Sequence, residues 1–509
     1  MEASWQRVAI TDAWYQDAEP ARAKASGDSL AGQLVAACKE FTRRFPADAR
    51  CADVVWRGGN VAYAHGWYPD AATAFMLFGD RFPADARAPR AVRMAGDARY
   101  QRGEYDQAGA AYEKALTLAR SAKQDTLATS LEKSIPVCYY KHAEAVAKDK
   151  GEGDAAPLFA RVARDWPAFP HADLALYRAG LGYAEKKSYV DAAGSWEQLL
   201  AKHPKSEYVR DATIQIAIAY EKSGNAQSAA AAYERFSRAY PTDPDAPEAL
   251  LKASEILAAA KDEAGAERMR TLFIERFPGE TETVMQIRAV RAEKELAGVS
   301  TGTSKLSSLL SVVKPKQGAP TPPSSDLAAY LALAKQHPEL ASPAIMAKVD
   351  YLTAEEAHTE YAGMKLTQPL PKSLEKKKAK LESTLELYNK CSSHGIAEYT
   401  RAAAYRVGQS LIEFGDALVA SERPKDLAGD DLLAYDDVLN QQSWEFYDRG
   451  EDVWSDLLQQ TREEKDDPGQ WIARTRDSLW PRLAQRFLFQ PEIKHPLVAA
   501  KPPAETGSK

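Results

Sequence analysis

Apolar and small residues recur three or four positions apart along most of the chain, which is the spacing of one buried helix face. In the stretch 51–81 two such runs follow each other, with aromatic side chains such as Tyr63 and Phe75 at the inward positions. Gly66 separates the runs, where a tight turn between two helices needs a positive φ. The pattern therefore predicts a pair of helices joined by a short turn.

The helical pairs repeat at a fixed interval, because the string RFPADAR occurs at 44–50 and again 37 residues later, at 81–87. Prolines that end a helical run mark the same interval, and they are Pro46, Pro83, Pro167, Pro204, Pro241 and Pro278. The gap from 83 to 167 is ten residues longer than two periods, and we place this surplus in the polar segment 121–130. About seven units of this length predict a solenoid of stacked helical pairs, in which RFPADAR stops one helix and starts the next.

Several units carry small and large residues in one order: a small residue, a glycine, an aromatic residue, an alanine and a second aromatic residue. In one unit they are Gly96, Gly103, Tyr105, Ala108 and Tyr112. This order resembles the signature of the tetratricopeptide repeat (TPR) family. The unit ending at Pro167 lacks both glycines, and the unit ending at Pro278 has Arg270 at the last aromatic position. The longer period of 37 residues is similar to that of bacterial cell-envelope members, among them the outer-membrane assembly lipoprotein and the Tol–Pal coordinator. The resemblance implies an all-α fold, with a right-handed solenoid of about seven helical pairs over 1–298.

The second half of the chain loses the repeat interval but keeps amphipathic helical patterns. Residues 299–325 are rich in Ser, Thr and Pro and predict a flexible linker. Longer helical runs then predict a second all-helical domain over 326–490, distantly similar to the repeats, with Gly408 at the small position. The last residues, 491–509, predict a disordered tail.

Bulk composition narrows the class of partner. A net charge of −6 over 509 residues does not favour nucleic acid, so we expect protein partners. No apolar run of the sequence is long enough to span a membrane, and the first twenty residues are acidic, unlike a secretory signal. The resemblance alone implies a location in the cell envelope, periplasmic or associated with the outer membrane. A cytoplasmic protein is the alternative.

The resemblance also implies where a partner binds, because the first helix of each TPR pair lines a concave groove. The exposed groove positions lie three before, one after and four after the small residue. On this chain they are Trp56, Asn60, Tyr63, Arg93, Asp97, Tyr100, Tyr177 and Leu181. The alternative is that Trp56 or Tyr63 packs between neighbouring units. A clamp for C-terminal carboxylates is not expected, because only Asn60 of its required residues is in place and Asp97 has the wrong charge.

The second domain contains a strongly acidic segment, with fourteen Asp or Glu and three basic residues between 426 and 467. One interpretation is a solvated helix face, and the other is a docking surface for a basic partner. The residues of that surface would be Asp430, Asp431, Asp436, Asp437, Glu451 and Asp452. Aromatic residues such as Trp444 and Trp480 lie within or after the segment. We expect most of them in the core and one or two exposed as interface anchors.

Catalytic motifs are absent from the sequence, and we expect no enzymatic activity, no cofactor and no metal. Glu355 and His358 have the spacing of half a di-iron site but lack a second pair. Cys391 and His394 also lack a second pair, so we expect a surface thiol beside a helix-ending His. The lysine run at 375–380 predicts an exposed helix face.

These features predict a non-catalytic scaffold, and the resemblance implies that it belongs to a bacterial envelope complex. In this hypothesis the TPR groove holds peptides or helices of partner proteins, and the acidic domain holds a different partner. The alternative is an enzyme or regulator whose activity lies in the second domain, with the repeat array serving to target it. A second domain without any polar pocket would count against that alternative.

Overall fold

The computed structural model describes residues 1–17, 27–299, 306, 325–463 and 469–488. Over these residues the chain contains 21 α-helices and one short 3-10 helix, and no strand. Across the same part of the chain, no helix combines the length and the apolar character needed to cross a membrane. The chain forms two compact units, Met1–Phe277 and Pro278–Lys509. The predicted tail and nearly all of the predicted linker lie outside the described residues.

The fourteen helices of the first unit follow one another as seven pairs, and each helix packs against the next. They are α1 (Glu2–Asp17), α2 (Gly27–Arg44), α3 (Cys51–Ala64), α4 (Tyr68–Arg81), α5 (Ala88–Gln101), α6 (Tyr105–Ser121), α7 (Asp125–Lys150), α8 (Glu152–Asp165), α9 (Ala172–Glu185), α10 (Tyr189–Lys202), α11 (Val209–Lys222), α12 (Ala226–Ala239), α13 (Asp245–Ala259) and α14 (Glu263–Arg276). Most of them have 14 residues, which keeps the interval between pairs constant.

In the turns that the structure describes, the turn inside a pair is made at a residue with a positive φ. Gly66, Gly103 and Gly224 hold this place with φ of 73°, 77° and 78°, which confirms the sequence-based prediction for Gly66. Lys187 and Lys261 hold the same place in two other pairs, with φ of 60° and 64°. A lysine in this conformation carries a steric cost that glycine avoids.

The link between pairs is built by the Asp and the Arg of RFPADAR. Asp85 accepts hydrogen bonds from the backbone N–H and the Nε of Arg87 at 2.8 and 3.0 Å, and Asp48 and Arg50 make the same two contacts. The Arg50 hydrogen bonds lower the pKa of Asp48 to about 2. Arg87 also donates to the carboxylate of Asp53 in the preceding pair at 2.8 Å. The string therefore ends one helix, starts the next and ties neighbouring pairs together.

The surplus residues that we predicted at 121–130 instead lengthen α7. This helix has 26 residues, against 14 in α5 and 14 in α9, and it accommodates Pro136 in its interior. The segment 121–130 contains only the end of α6, a short turn and the start of α7. Because each helical residue adds 1.5 Å, α7 is about 18 Å longer than its equivalents.

A close contact between a glycine on one helix and an aromatic ring on the next holds a pair together. A Cβ added at Gly180 would lie 2.3 Å from the ring of Trp196. The Nε1 of Trp196 donates a hydrogen bond to the carbonyl oxygen of Tyr177 at 3.2 Å. A Cβ at Gly96 would lie 2.4 Å from the ring of Tyr112. These helices approach as closely as they do because glycine has no side chain.

The second unit contains seven helices among the described residues. They are α15 (Thr281–Ala297), α16 (Asp326–Gln336), α17 (Pro343–Gly363), α18 (Leu370–Ser392), α19 (Ala397–Val419), α20 (Asp430–Glu463) and α21 (Gly469–Leu488). Glu295 on α15 accepts hydrogen bonds from the backbone N–H groups of Asp326 and Leu327 at 3.1 and 3.0 Å. Because α15 is tied to α16 in this way, the boundary between units lies before α15 and not at the predicted residue 298.

The pair α19 and α20 repeats the glycine contact of the first unit. A Cβ at Gly408 would lie 2.4 Å from Nε1 of Trp454, and this Nε1 donates to the carbonyl oxygen of Tyr405 at 2.9 Å. Tyr405 precedes Gly408 by three residues, as Tyr177 precedes Gly180. This pair of the second unit therefore has the same internal geometry as a repeat of the first.

Candidate functional site

Several predicted groove positions form a polar strip on α3 and α5. Arg93 and Asp97 form an ion pair at 3.5 Å. Burial, together with the nearby Asp97 carboxylate, raises the pKa of Tyr63. Tyr63 packs edge-on against Tyr68 at 5.7 Å between ring centroids, and Tyr100 takes the equivalent half-buried place one pair later. The strip offers half-buried rings beside a surface ion pair.

Trp56 is packed between elements and does not face the groove freely. Its ring lies 5.8 and 5.7 Å from the rings of Phe75 and Phe78, and the guanidinium of Arg87 lies over it at 5.8 Å. Asn60 donates from its side-chain amide to the carbonyl oxygen of Trp56 at 2.7 Å. Arg87 belongs to the following pair, so Trp56 packs between neighbouring units. This packing agrees with the alternative interpretation of Trp56.

The last two predicted groove residues lie on α9 and differ in their surroundings. The hydroxyl of Tyr177 donates to the carboxylate of Asp211, and its ring stacks on Tyr208 at 4.9 Å. Leu181 is exposed, with 38% of its surface accessible. Tyr177 is therefore engaged by the next pair, whereas Leu181 remains accessible.

A deeper groove opens beside the lengthened α7, between that helix, the link after α8 and the first turn of α9. Its volume is about 930 Å³. Its lining residues are Glu132, Lys133, Pro136, Val137, Tyr140, Lys141, Glu144, Asp165, Trp166, Pro167, Ala168, Phe169, Pro170, His171 and Leu174. Binding sites for small ligands usually measure about 300 to 1,000 Å³, so this groove is large enough to hold several side chains. We call it the α7 groove.

Aromatic rings form the floor of the α7 groove and fix one another. Tyr140 is 7% exposed, and its ring lies 5.7 Å from that of Phe169. Trp166 stacks on Tyr139 at 5.1 Å with an interplanar angle of 16°, and the guanidinium of Arg161 lies 4.6 Å from the Tyr139 ring. Because each ring is held by a neighbour, the floor is formed before any partner arrives.

Charged side chains of both signs border this floor. Lys141 and Glu144 form an ion pair at 2.7 Å, and Glu144 also lies 3.5 Å from Arg178. The hydrogen bond with Glu144 raises the pKa of Lys141. Lys133 and His171 are exposed at the border. Because positive and negative charges largely balance, the groove would select a partner by its shape and its apolar side chains.

The sequence-based prediction missed the α7 groove because this unit lacks both TPR glycines and is ten residues longer. A usable signal was nevertheless present. Counting one period of 37 residues back from Gly180 gives Ala143, a small residue on α7. Tyr140 and Glu144 then fall three before and one after it, which are groove positions, and both line the α7 groove.

The predicted acidic surface of the second unit is only partly a surface. Four of its six residues are exposed: Asp430, Asp431, Asp437 and Asp452. Asp436 forms an ion pair with Arg423. Glu451 is 5% exposed and pairs with Arg482 at 3.0 Å, so the prediction that it belongs to a docking surface was wrong. The reason is that α21 brings Arg482 against this part of α20.

Exposed apolar side chains share one face of α20 with the carboxylates. Leu433 and Trp444 are 64% and 51% exposed. Three carboxylates lie between and beside them, so that the chain order is Asp430, Leu433, Asp437, Trp444 and Asp448. Successive members of this series are three, four, seven and four residues apart, which places all five on one helix face. We call these five residues the acidic stripe.

The spacings that suggested metal chemistry belong to buried ion pairs in the second unit. Glu355 accepts hydrogen bonds from the hydroxyl of Tyr388 at 2.7 Å and from Arg406 at 2.6 Å. His358 contacts the carboxylate of Glu413 at 3.0 Å. Burial alone would raise the pKa of Glu413, but the His358 hydrogen bond holds it below its ordinary value. Within the described ranges, no three His, Cys, Asp or Glu side chains are grouped to hold a metal ion.

Two sequence-based expectations about exposure were wrong. Cys391 is fully buried, with its Sγ 3.4 Å from the carbonyl oxygen of Ala347, and burial raises its pKa to about 12. Lys377, within the lysine run, is 3% exposed and donates to the carbonyl oxygens of Tyr361 and Met364 at 3.1 and 2.7 Å. Neighbouring helices cover both side chains, which the local sequence does not reveal.

Comparison with known proteins gives one family match, at residues 170–286, to a family described as YfiO, outer membrane lipoprotein. No curated protein matches the chain. Among solved structures, PilW, described as a widely conserved type IV pilus biogenesis factor, is 13% identical over 45% of this chain and 96% of its own, with a TM-score of 0.21. A tetratricopeptide repeat protein from Parabacteroides merdae is 17% identical over 48% and 88%, with a TM-score of 0.20. The P58(IPK) TPR domain is 13% identical over 86% and 99%, also at 0.20.

TM-scores this low add nothing to the fold assignment, which rests on the repeat geometry itself. The constant interval, the turns with positive φ and the contacts between glycine and aromatic ring define TPR-type pairs in the first unit. The first unit is a helical-repeat solenoid of TPR-type pairs, and residues 170–286 are similar to the YfiO outer membrane lipoprotein family.

Proposed function

We propose that this protein is a non-catalytic scaffold that binds a short segment of a partner protein in the α7 groove. The observation that carries the proposal is the preformed floor of Tyr140, Trp166 and Phe169 in a groove of about 930 Å³. Aromatic rings cover a large contact area and lose little conformational freedom on binding. A floor that is already rigid lowers the entropic cost further.

The chemistry of the groove favours recognition through the partner's side chains. The link contributes Pro167 and Pro170 to the lining, and proline has no N–H to donate. An added strand that pairs with this backbone would therefore find few donors, so the partner is held by apolar side chains that enter the groove. The balanced pairs at the border, such as Lys141 with Glu144, suit a segment of low net charge.

Peptide selection on the full chain tests this function. Peptides of about twelve residues enriched from a displayed library are measured again by fluorescence anisotropy with two variants of the same helix. Leu174→Glu places a carboxylate in the α7 groove, whereas Leu181→Glu changes an exposed leucine of α9 outside its lining. Burial of one unpaired charge costs enough to weaken binding at least about ten-fold.

The expected result is loss of affinity with Leu174→Glu and unchanged affinity with Leu181→Glu. Ala168→Glu, at an exposed lining residue, checks that the loss does not come from damage to the fold. Equal affinity of the selected peptides for all three variants and the parent protein would contradict the proposal. So would a loss confined to Leu181→Glu, which would place the site on the groove first predicted from the TPR resemblance.

We infer a second partner site at the acidic stripe. Leu433 and Trp444 provide exposed apolar anchors, and three carboxylates on the same face attract positive charge. A partner with a basic amphipathic helix matches this combination of apolar and acidic side chains. Because the charges are exposed, salt weakens the attraction.

A synthetic amphipathic helix with lysines flanking a leucine row is a direct probe of the acidic stripe. We expect its affinity to fall when salt rises from 0.05 to 0.5 M, and to fall about ten-fold with Asp437→Lys or Trp444→Ala. Asp456→Lys, an exposed residue on another face of α20, is the matched control. Equal losses with Asp437→Lys and Asp456→Lys would show that the net charge of α20 acts, and not the stripe.

We place the scaffold in a bacterial envelope complex. Support comes from the match of residues 170–286 to a family described as an outer membrane lipoprotein. Fractionation of cells that express the protein from its own gene, followed by immunodetection, tests the location. Recovery with the envelope fraction is expected, and recovery with the cytoplasmic fraction would contradict it.

A further inference from the structure

The side-chain hydrogen-bonding groups along the α7 groove are unevenly occupied. All three carboxylates of its lining are already paired with positively charged side chains. The pairs are Glu132 with Arg120 at 2.7 Å, Glu144 with Lys141 at 2.7 Å and Asp165 with Arg164 at 2.9 Å. The acceptors that side chains provide in this groove are therefore largely engaged before a partner binds.

The side-chain groups of the groove that stay free are mainly donors. Trp166 is half-buried, and its indole Nε1, which reaches the surface, has no hydrogen-bond partner among the described residues. Lys133 is exposed, and no carboxylate in the part of the chain that the structure describes lies within ion-pair distance of its ammonium group. Both side chains donate hydrogen bonds and cannot accept them, whereas the exposed His171 can do either. The groove therefore favours a partner that supplies acceptors.

A proline-rich segment supplies acceptors and apolar surface but few donors of its own. Each proline keeps its carbonyl oxygen and has no N–H. In the polyproline II conformation these carbonyl oxygens form no internal hydrogen bonds and stay available to donors. An α-helix satisfies its own carbonyl groups instead, so it would leave Trp166 and Lys133 unused. Proline rings also pack against aromatic rings, which the floor of Tyr140, Trp166 and Phe169 offers.

We propose that the segment held in the α7 groove is proline-rich and adopts the polyproline II conformation, an inference that rests on the function proposed above. The Nε1 of Trp166 and the ammonium group of Lys133 donate to carbonyl oxygens of the segment, and its proline rings cover the aromatic floor. Such a segment is stiff before it binds. It therefore loses little conformational freedom in a groove whose rings already hold one another.

Fluorescence anisotropy with the full chain and labelled peptides of about twelve residues tests this choice of partner. The first peptide consists of Ala-Pro-Pro repeats, and the second has every proline replaced by serine, which restores the N–H groups. The third is a neutral amphipathic helix with a row of leucines. We expect the proline-rich peptide to bind at least about ten-fold more tightly than either of the others.

Two variants and two controls locate the effect. Trp166→Phe and Lys133→Met each remove one donor and should weaken binding of the proline-rich peptide about three- to ten-fold. Trp166→Phe keeps an aromatic ring in the groove, so its effect reports chiefly the lost hydrogen bond. The matched controls are Trp14→Phe, at an exposed tryptophan of α1, and Lys148→Met, at an exposed lysine of α7 outside the lining. Both controls should leave the affinity unchanged.

The outcomes separate this inference from the proposed function on which it rests. Tighter binding of the serine peptide or of the leucine helix than of the proline-rich peptide would overturn the inference. Equal affinity of the proline-rich peptide for the Trp166→Phe and Trp14→Phe proteins would also overturn it. In either case the α7 groove stays the binding site if Leu174→Glu still weakens the peptides enriched by selection. If Leu174→Glu weakens no peptide at all, the proposed function fails together with the inference.

Discussion

The contact between Gly180 and Trp196 gives a quantitative test of how the repeats are held together. A Cβ at Gly180 would lie 2.3 Å from the Trp196 ring, whereas carbon atoms in contact are normally about 3.5 to 4.0 Å apart. Trp196 is 1% exposed, and its Nε1 is held by the carbonyl oxygen of Tyr177 at 3.2 Å. Gly180→Ala therefore forces a shift of more than about 1 Å in a packed region, where small displacements are costly.

The magnitude follows from two opposing effects. Overpacking a core typically costs about 1 to 3 kcal/mol, and the size of this overlap puts Gly180→Ala near the upper end. Replacing a helical glycine by alanine returns about 1 kcal/mol. We expect a net loss of about 1 to 2 kcal/mol for Gly180→Ala. Gly194→Ala on the next helix has no atom within 4 Å of the new Cβ, so it should gain up to about 1 kcal/mol.

Urea denaturation of the full chain, followed by circular dichroism and tryptophan fluorescence, compares the two variants. They should differ by about 1 to 3 kcal/mol in free energy of unfolding, with Gly194→Ala the more stable. In thermal melts this difference amounts to about 2 to 10 °C. If the two variants were equally stable, the close packing of α9 on α10 would not be what holds this pair together.

Three further substitutions and conditions have expected outcomes. Lys187→Gly relieves the positive φ of 60° and should stabilise the chain by about 0.5 to 1 kcal/mol in urea denaturation, and a loss of stability would contradict the assigned turn. Burial raises the pKa values of Tyr112 and Tyr388 in the folded state, so the stability that they contribute is complete below about pH 10 and is lost as the pH rises further. We therefore expect Tm to fall between about pH 10 and pH 11. An unchanged Tm over this range would contradict the burial of the two tyrosines. Lys377→Met leaves the carbonyl oxygen of Met364 without its side-chain donor and should cost about 1 to 3 kcal/mol, whereas exposed Lys378→Met should change stability by less than about 0.5 kcal/mol.

The repeats were predictable because they depend on local chemistry that recurs. The turn at Gly66 needs a positive φ. The end of the helix at RFPADAR needs a proline and, a few residues later, hydrogen bonds between an aspartate and an arginine such as those of Asp85 and Arg87. Such features are written in consecutive positions of the sequence. The resemblance to TPR proteins follows from the same positions.

The features that were missed depend on which element covers which face. Lys377 and Glu451 look like exposed residues in their own helices, but α17 accepts the hydrogen bonds of the first and α21 supplies the ion pair of the second. Cys391 is buried for a similar reason, by contact with α17. The sequence of a highly charged helix does not show which of its charged side chains is paired with a residue of another helix.

The binding role of the predicted groove positions stays a prediction. These positions were expected to be exposed on the first helices, and the structure shows Tyr63 and Tyr100 half-buried there. The α7 groove lay outside the prediction because α7 is twelve residues longer than its equivalents, and the extra turns form a side of the groove that the standard repeat does not have. The link between α8 and α9, which contains Trp166 and His171, lines a groove only because α7 is long enough to lie beside it.

Site-specific photo-crosslinking tests the central claim most directly. A benzoylphenylalanine placed at Ala168, an exposed lining residue of the α7 groove, is compared with one at Leu181, an exposed residue of α9 outside the lining. If the α7 groove holds the partner segment, a selected peptide is captured from position 168 and not from position 181. Capture from position 181 alone would contradict the proposed site and return the partner to the groove first predicted from the repeat pattern.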